Sequence, residues 1–84
     1  MESIDFTING RPMTLARSTV ELAMRGVSPE PVQSHAVEVG GVLFPVKQAF
    51  AKSTGLDRLD FTSAVARRQL DRLGFPLFRL GPQR

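Results

Sequence analysis

The sequence predicts one small domain of the α+β class, residues 1–84, with two short β-hairpins and three helices. Two glycine turns predict the hairpins: apolar residues alternate with polar ones before Asn9-Gly10, and a second apolar run is divided by Gly40-Gly41. An apolar stripe at helical spacing between Phe61 and Leu73 predicts the last helix. A chain of 84 residues has room for one small core.

The first half predicts a strand, a turn and a helix. Ile4, Phe6 and Ile8 share one face of a strand that ends at Asn9-Gly10, and residues 11–13 return as a short second strand. A helix then opens at Pro12 or Thr14 and runs to Arg25, with Gly26 as its stop. Its outer face carries Arg17, Glu21 and Arg25 at spacing four.

The second half repeats this order. Residues 27–35 contain two prolines and predict a loop, after which residues 36–39 and 42–44 predict strands on either side of Gly40-Gly41. Pro45 opens a helix over residues 46–53 that stops at Gly55. Residues 1–26 and 36–55 therefore resemble the two halves of a degenerate repeat.

The last segment predicts the third helix and an edge strand. Asp60 or Thr62 caps the helix, and Gly74 ends it. Residues 76–80 predict a strand that adds to the second hairpin, and residues 81–84 predict a flexible tail.

The composition excludes several classes of function. The chain has no cysteine and one histidine, so neither a disulfide nor a metal centre is expected, and we expect no cofactor. No run approaches the roughly 20 apolar residues of a membrane span, and residues 1–3 do not begin a secretory signal. No nucleophile–base pair can be assembled. We expect a cytoplasmic protein without enzymatic activity.

Charge is distributed unevenly along the chain. Residues 1–42 contain three arginines and five acids, a net charge of −2, whereas residues 43–84 contain eight cations and three acids, a net charge of +5. A cationic half is typical of a surface that neutralises phosphates. It is equally typical of a solvated helix face, and this alternative stays open.

The two C-terminal helices suggest a helix-turn-helix-like (winged-helix-like) unit that binds double-stranded DNA, with the second hairpin as the wing. The connection between them, residues 55–60, is longer than the usual three or four residues. Ser63, Arg67 and Thr62 would reach base edges in the major groove. The other predicted DNA-binding residues would contact phosphates or lie near them: Lys47, Lys52, Arg58, Arg68 and Arg72.

Residues 36–75 resemble a small module of actinobacterial restriction-like proteins, which is often fused N-terminally to McrA-like HNH nucleases. The matching positions are Gly41, Phe44, Pro45, Lys47, Gly55, Asp60, Phe61, Thr62, Leu70, Leu73, Gly74 and Phe75. The resemblance implies DNA association in defence or regulation without catalysis. The chain departs from the pattern at Val46, where many such modules have proline, and in lacking a glycine pair after the Phe-Thr step.

A protein-interaction module is the alternative. An adaptor, a phage-encoded inhibitor or an antitoxin-like partner would use the acidic N-terminal half and the surface around Val20 and Leu22. A homodimer is compatible with both functions, because pairing adds affinity and half-site geometry to a small DNA-binding domain.

Overall fold

Two small sheets and three helices form the α+β architecture that the sequence predicts. The computed structural model describes residues 2–32 and 34–80. Its elements follow in the order β1 (Ser3–Ile8), β2 (Arg11–Ala16), α1 (Arg17–Met24), β3 (His35–Val39), β4 (Val42–Pro45), α2 (Val46–Thr54), a 3₁₀ turn (Arg58–Asp60), α3 (Ser63–Arg72) and β5 (Leu77–Arg79). The predicted tail, residues 81–84, lies outside the described residues.

The first hairpin is longer than the sequence predicts. Asn9 and Gly10 have φ values of 51° and 77°, as a two-residue type I′ turn requires, so Ile8 pairs with Arg11. The ladder then continues to Ser3 opposite Ala16, and Ile4 buries its side chain beside Leu15. The prediction that Pro12 or Thr14 opens the helix was wrong, because this pairing holds both residues in β2, and α1 begins at Arg17.

Pro12 fits into β2 because of its place in the ladder. The Arg17 N–H donates to the carbonyl of Glu2 at 2.7 Å, which sets the alternation of hydrogen-bonded pairs along the hairpin. In that alternation Thr7 and Pro12 form a non-hydrogen-bonded pair. The proline nitrogen therefore points to the outer edge of β2, where the ladder needs no donor.

The second hairpin has the same turn and gains a third strand. Gly40 and Gly41 have φ values of 60° and 81°, and Val39 pairs with Val42. β5 pairs with the other side of β3, which gives the order β4-β3-β5. The predicted addition of an edge strand is confirmed, although β3 begins at His35, which the sequence placed in the loop.

The ends of α2 and α3 match the sequence signals. Gly55, at φ 76°, donates its N–H to the Ala51 carbonyl at 2.8 Å and closes α2. The Thr62 hydroxyl accepts from the Val65 N–H at 3.2 Å and caps α3. Residues 55–62, which connect α2 to α3, include the 3₁₀ turn and form a longer connection than the usual three or four residues. The helix-turn-helix-like arrangement therefore stays a prediction.

One core joins both halves of the chain and α3. The largest fully buried side chains come from all three parts: Val20, Val37, Phe44, Phe50, Leu70 and Leu73. At its centre the Phe50 ring meets the edge of Phe61 at a centroid distance of 4.8 Å and the ring of Phe6 at 5.7 Å. The two halves have the same order of hairpin, helix and glycine stop; their common origin stays a prediction.

Arg17 connects the start of α1 to the end of α3. Its Nη1 donates to the Leu73 carbonyl at 2.9 Å, and its guanidinium lies 4.3 Å from the centroid of the Phe75 ring. The sequence placed this residue on the outer face of α1. It still forms the expected pair with Glu21, at 3.4 Å, while its far end packs across the molecule.

Candidate nucleic-acid interface

A concave site of about 250 Å³ lies where the starts of α2 and α3 meet the start of β3. We call it the helix-start groove, lined by Glu30, Pro31, Ser34, His35, Pro45, Val46, Lys47, Arg58 and Ser63. Three predicted DNA-binding residues therefore come together: Lys47, Arg58 and Ser63.

The start of α2 leaves backbone donors available at this groove. Pro45 ends β4 and precedes the helix, and none of the side chains that the structure describes caps the first turn of α2. The Lys47 ammonium lies over the Phe61 ring, 5.4 Å from its centroid, so the charge itself contacts an aromatic surface beside the groove. Uncapped N–H groups beside a lysine are an environment that favours anions.

Arg58 is already paired within the chain. Its Nη1 donates to Oε1 of Glu30 at 2.7 Å, and its Nη2 donates to Oε2 at 2.6 Å. The bond from Arg58 holds the pKa of the Glu30 carboxyl below its ordinary value, and the same bond raises the pKa of Arg58. The sequence treated Arg58 as an available cation and did not indicate this partner.

Gln48 holds the segment that carries Glu30. It is buried in α2, where its Oε1 accepts from the Glu30 N–H at 3.0 Å and its Nε2 donates to the Ser28 carbonyl at 3.0 Å. This role could not be predicted from the sequence, because a glutamine on a helix is usually exposed.

A second concave site, of about 290 Å³, adjoins the first along α3. We call it the arginine groove, lined by Ala64, Arg67, Arg68, Asp71 and Leu77. Ser63 and Arg67 are four residues apart on α3, so one helical stripe joins the two grooves. The Nε of Arg67 is buried and has no hydrogen-bond partner among the residues described.

Arg79 extends the cationic surface next to His35. They face each other across the β3–β5 pair. The imidazole of His35 is partly buried, which lowers its pKa, and the charges of Arg67 and Arg79 lower this pKa further. Sequence reasoning missed both residues: only the register of β5 on β3, which a predicted edge strand could have suggested, brings them together.

Three predicted site residues lie elsewhere or have other partners. The Thr62 hydroxyl caps α3, and Arg72 donates to the Asp5 carbonyl at 3.2 Å and to Oε1 of Gln69 at 2.8 Å. Lys52 lies in the last turn of α2, exposed, and its charge contributes to the lowered pKa of Glu30.

A family model described as SCO5918-like matches residues 5–83, nearly the whole chain. The chain belongs to the SCO5918-like family. No curated protein and no solved structure matches it. The family match does not connect this SCO5918-like domain to HNH restriction proteins, so that resemblance stays a prediction.

Of the two residues suggested for contact with a protein partner, Val20 and Leu22, only one is exposed in this SCO5918-like domain. Val20 is fully buried in the core, so its predicted role in a contact surface was wrong, whereas Leu22 is 63% exposed. The reason is helical geometry: residues two apart in α1 point about 200° away from each other, so Val20 faces the core while Leu22 faces outward. Across residues 2–32 and 34–80, no helix has the length and apolar character needed to cross a bilayer.

Proposed function

We propose that this domain binds double-stranded DNA without catalysing a reaction, through the surface formed by the helix-start groove and the arginine groove. The protein would act in the cytoplasm as a regulator or as a nucleoid-associated or defence-associated factor. One observation carries the proposal: cations from α2, α3 and β5, which are far apart in the sequence, surround two adjoining concave sites.

The charges of this surface are mostly uncompensated. Within the described part of the chain, Lys47, Arg67, Arg68 and Arg79 form no salt bridge, whereas Arg58 is paired with Glu30 and Asp71 adds one acid to the arginine groove. Four cations that neutralise four phosphates give a slope of log K against log salt of roughly −3 to −4.

The two grooves suit different parts of the duplex. Lys47, Arg68 and the free N–H groups at the start of α2 suit phosphate oxygens, which position the protein but carry no sequence information. In this proposal α3 meets the major groove with Ser63 and Arg67. Thr62, whose hydroxyl caps α3, supports the helix and does not read bases.

Fluorescence anisotropy of a labelled duplex, titrated at several salt concentrations, tests this proposal. The double variant K47Q/R68Q removes one charge from each groove and should lower the salt slope by about 2. The matched control R11Q/R25Q removes the same charge from residues outside both grooves and should retain the slope. Undetectable binding of the wild type at low salt, or equal loss in both variants, would overturn the proposal.

A protein-interaction module is the second candidate, favoured by the outer face of the β4-β3-β5 sheet. Strand alternation places Ala36, Leu43 and Phe78 on the same face, and Leu43 and Phe78 are 40% and 42% exposed. Sedimentation equilibrium of the wild type and of L43K tests self-association through this face. A dimer that L43K dissociates would support the homodimer, and a monomer at high concentration would contradict it.

A further inference from the structure

The ion pair between Glu30 and Arg58 stands at the helix-start groove, among the groups that the proposed function assigns to phosphate. Both side chains line the groove, and they are 44% and 46% exposed. The two parallel bonds, at 2.6 and 2.7 Å, occupy the fork that Nη1 and Nη2 of the guanidinium form. Arg58 therefore cannot offer this fork to a ligand while Glu30 remains in place.

Hydrogen bonds within the domain hold the backbone that carries Glu30. Gln48 binds the backbone on both sides of Pro29, through the Glu30 N–H and the Ser28 carbonyl. On the other side, the Asp57 carboxylate accepts from the Leu59 N–H at 2.8 Å and holds the 3₁₀ turn that carries Arg58. The backbones that carry Glu30 and Arg58 are thus held by contacts that do not depend on the ion pair.

A phosphate group can replace this carboxylate. Guanidinium forks bind carboxylates and phosphates with the same bidentate geometry, and a backbone phosphodiester carries the same single negative charge as the carboxylate. Because the pair is half-exposed, water screens it and its net contribution to stability is small. Lys47 and the N–H groups at the start of α2, in the same groove, would remain available to the incoming phosphate.

We propose that Glu30 is an internal competitor of DNA: its carboxylate occupies Arg58 in the free protein, and a backbone phosphate displaces it in the complex. Glu30 thereby lowers the affinity of the domain for any duplex. Arg58 contributes to DNA affinity only when a phosphate enters the groove and displaces Glu30. This inference rests on the proposed function and adds to it a residue that limits affinity.

The test compares E30Q with the wild type by duplex anisotropy at 50 and 200 mM salt. E30Q should bind more tightly, with a slope steeper by about 0.9, so that its advantage is about threefold larger at 50 mM than at 200 mM. The double variant E30Q/R58Q should lose this gain in affinity, because it lacks the guanidinium that E30Q frees from the ion pair. Unfolding of each variant by urea confirms that it is folded.

E21Q is the matched control. Glu21 also pairs with an arginine, Arg17, and lies outside both grooves, so its removal changes the net charge equally. Affinity gains of the same size in E21Q and E30Q would overturn the inference and leave DNA binding intact, as would an unchanged affinity in E30Q. Absence of salt-dependent binding in every variant would instead reject the proposed function, and the inference with it.

Discussion

Gln48 shows how one buried amide can hold a segment that has no regular structure. Its side chain supplies one acceptor and one donor to the backbone of residues 28–30, which have no strand or helix partner. Buried polar groups need such partners, since leaving them unpaired costs free energy. The amide thus replaces the backbone ladder that a loop lacks.

Replacement of Gln48 by alanine should therefore destabilise the domain. The Glu30 N–H and the Ser28 carbonyl would lose their partners, which costs about 1–3 kcal/mol. The measurement is the free energy of unfolding in urea. K52A, an exposed change on the same helix, should remain within about 0.5 kcal/mol of the wild type. Equal values for Q48A and K52A would mean that water replaces the amide at no cost.

His35 should make stability depend on pH in a defined direction. Its pKa is lowered in the folded state, so the unfolded chain binds the proton more readily, and stability falls as pH drops through about 6.5. Burial of the ring opposes its protonated form, and the charges of Arg67 and Arg79 add to this effect. Between pH 7.5 and 5.5, H35Q should lose less melting temperature than the wild type. A larger loss in H35Q would contradict this direction.

At the level of elements, a substitution at the cap of α3 distinguishes a structural role of Thr62 from a role in DNA binding. Thr62→Ala removes the acceptor of the Val65 N–H and should cost about 1 kcal/mol of stability. It should leave the salt slope of DNA binding unchanged, because the hydroxyl is not aimed at a ligand. T19A, on the exposed side of α1, is the control for stability. A T62A variant with normal stability and altered DNA affinity would restore the base-reading role.

The sequence predicts those elements whose limits depend on local chemistry. The Asn-Gly and Gly-Gly turns, and the glycine at the end of α2, each require positive φ, and a single sequence shows such positions directly. The boundary between β2 and α1 could not be predicted in this way. Pro12 is as acceptable in the first turn of a helix as at a strand edge, and only the pairing with β1 decides between them.

At the level of the whole molecule, the shared core predicts that the two halves unfold together. Val20 of the first half packs in one cluster with Phe50 and Leu70 of the rest. Val20→Ala should remove about 2 kcal/mol through lost burial and a cavity. Calorimetry should show a single transition in both proteins, with agreement between calorimetric and van't Hoff enthalpies. Two transitions, with only one shifted by V20A, would reveal independent halves.

The candidate site was predictable only in part, because some of its contacts join residues that are far apart in the sequence. Lys47, Ser63 and Arg68 follow from a basic stripe and two helix starts, which are local features. The partner of Arg58 lies 28 residues away in a loop between prolines, and Arg79 reaches His35 only through strand register. A single sequence contains no signal for such distant pairs. The surface charge could therefore be predicted, whereas its partial neutralisation by Glu30 could not.

The second strand of each hairpin carries a proline with its nitrogen toward solvent. Pro45 stands opposite Ala36, and bonds at Glu38 and Ser34 show that the even-numbered residues of β3 direct their backbone groups toward β5. Like Pro12, Pro45 therefore removes a donor from an outer edge, in its case at the end of β4. A ladder that another chain formed along β2 or β4 would lack a hydrogen bond at each proline, which disfavours pairing at those edges. Pairing of two copies, if it supports DNA binding, must use side-chain surfaces there.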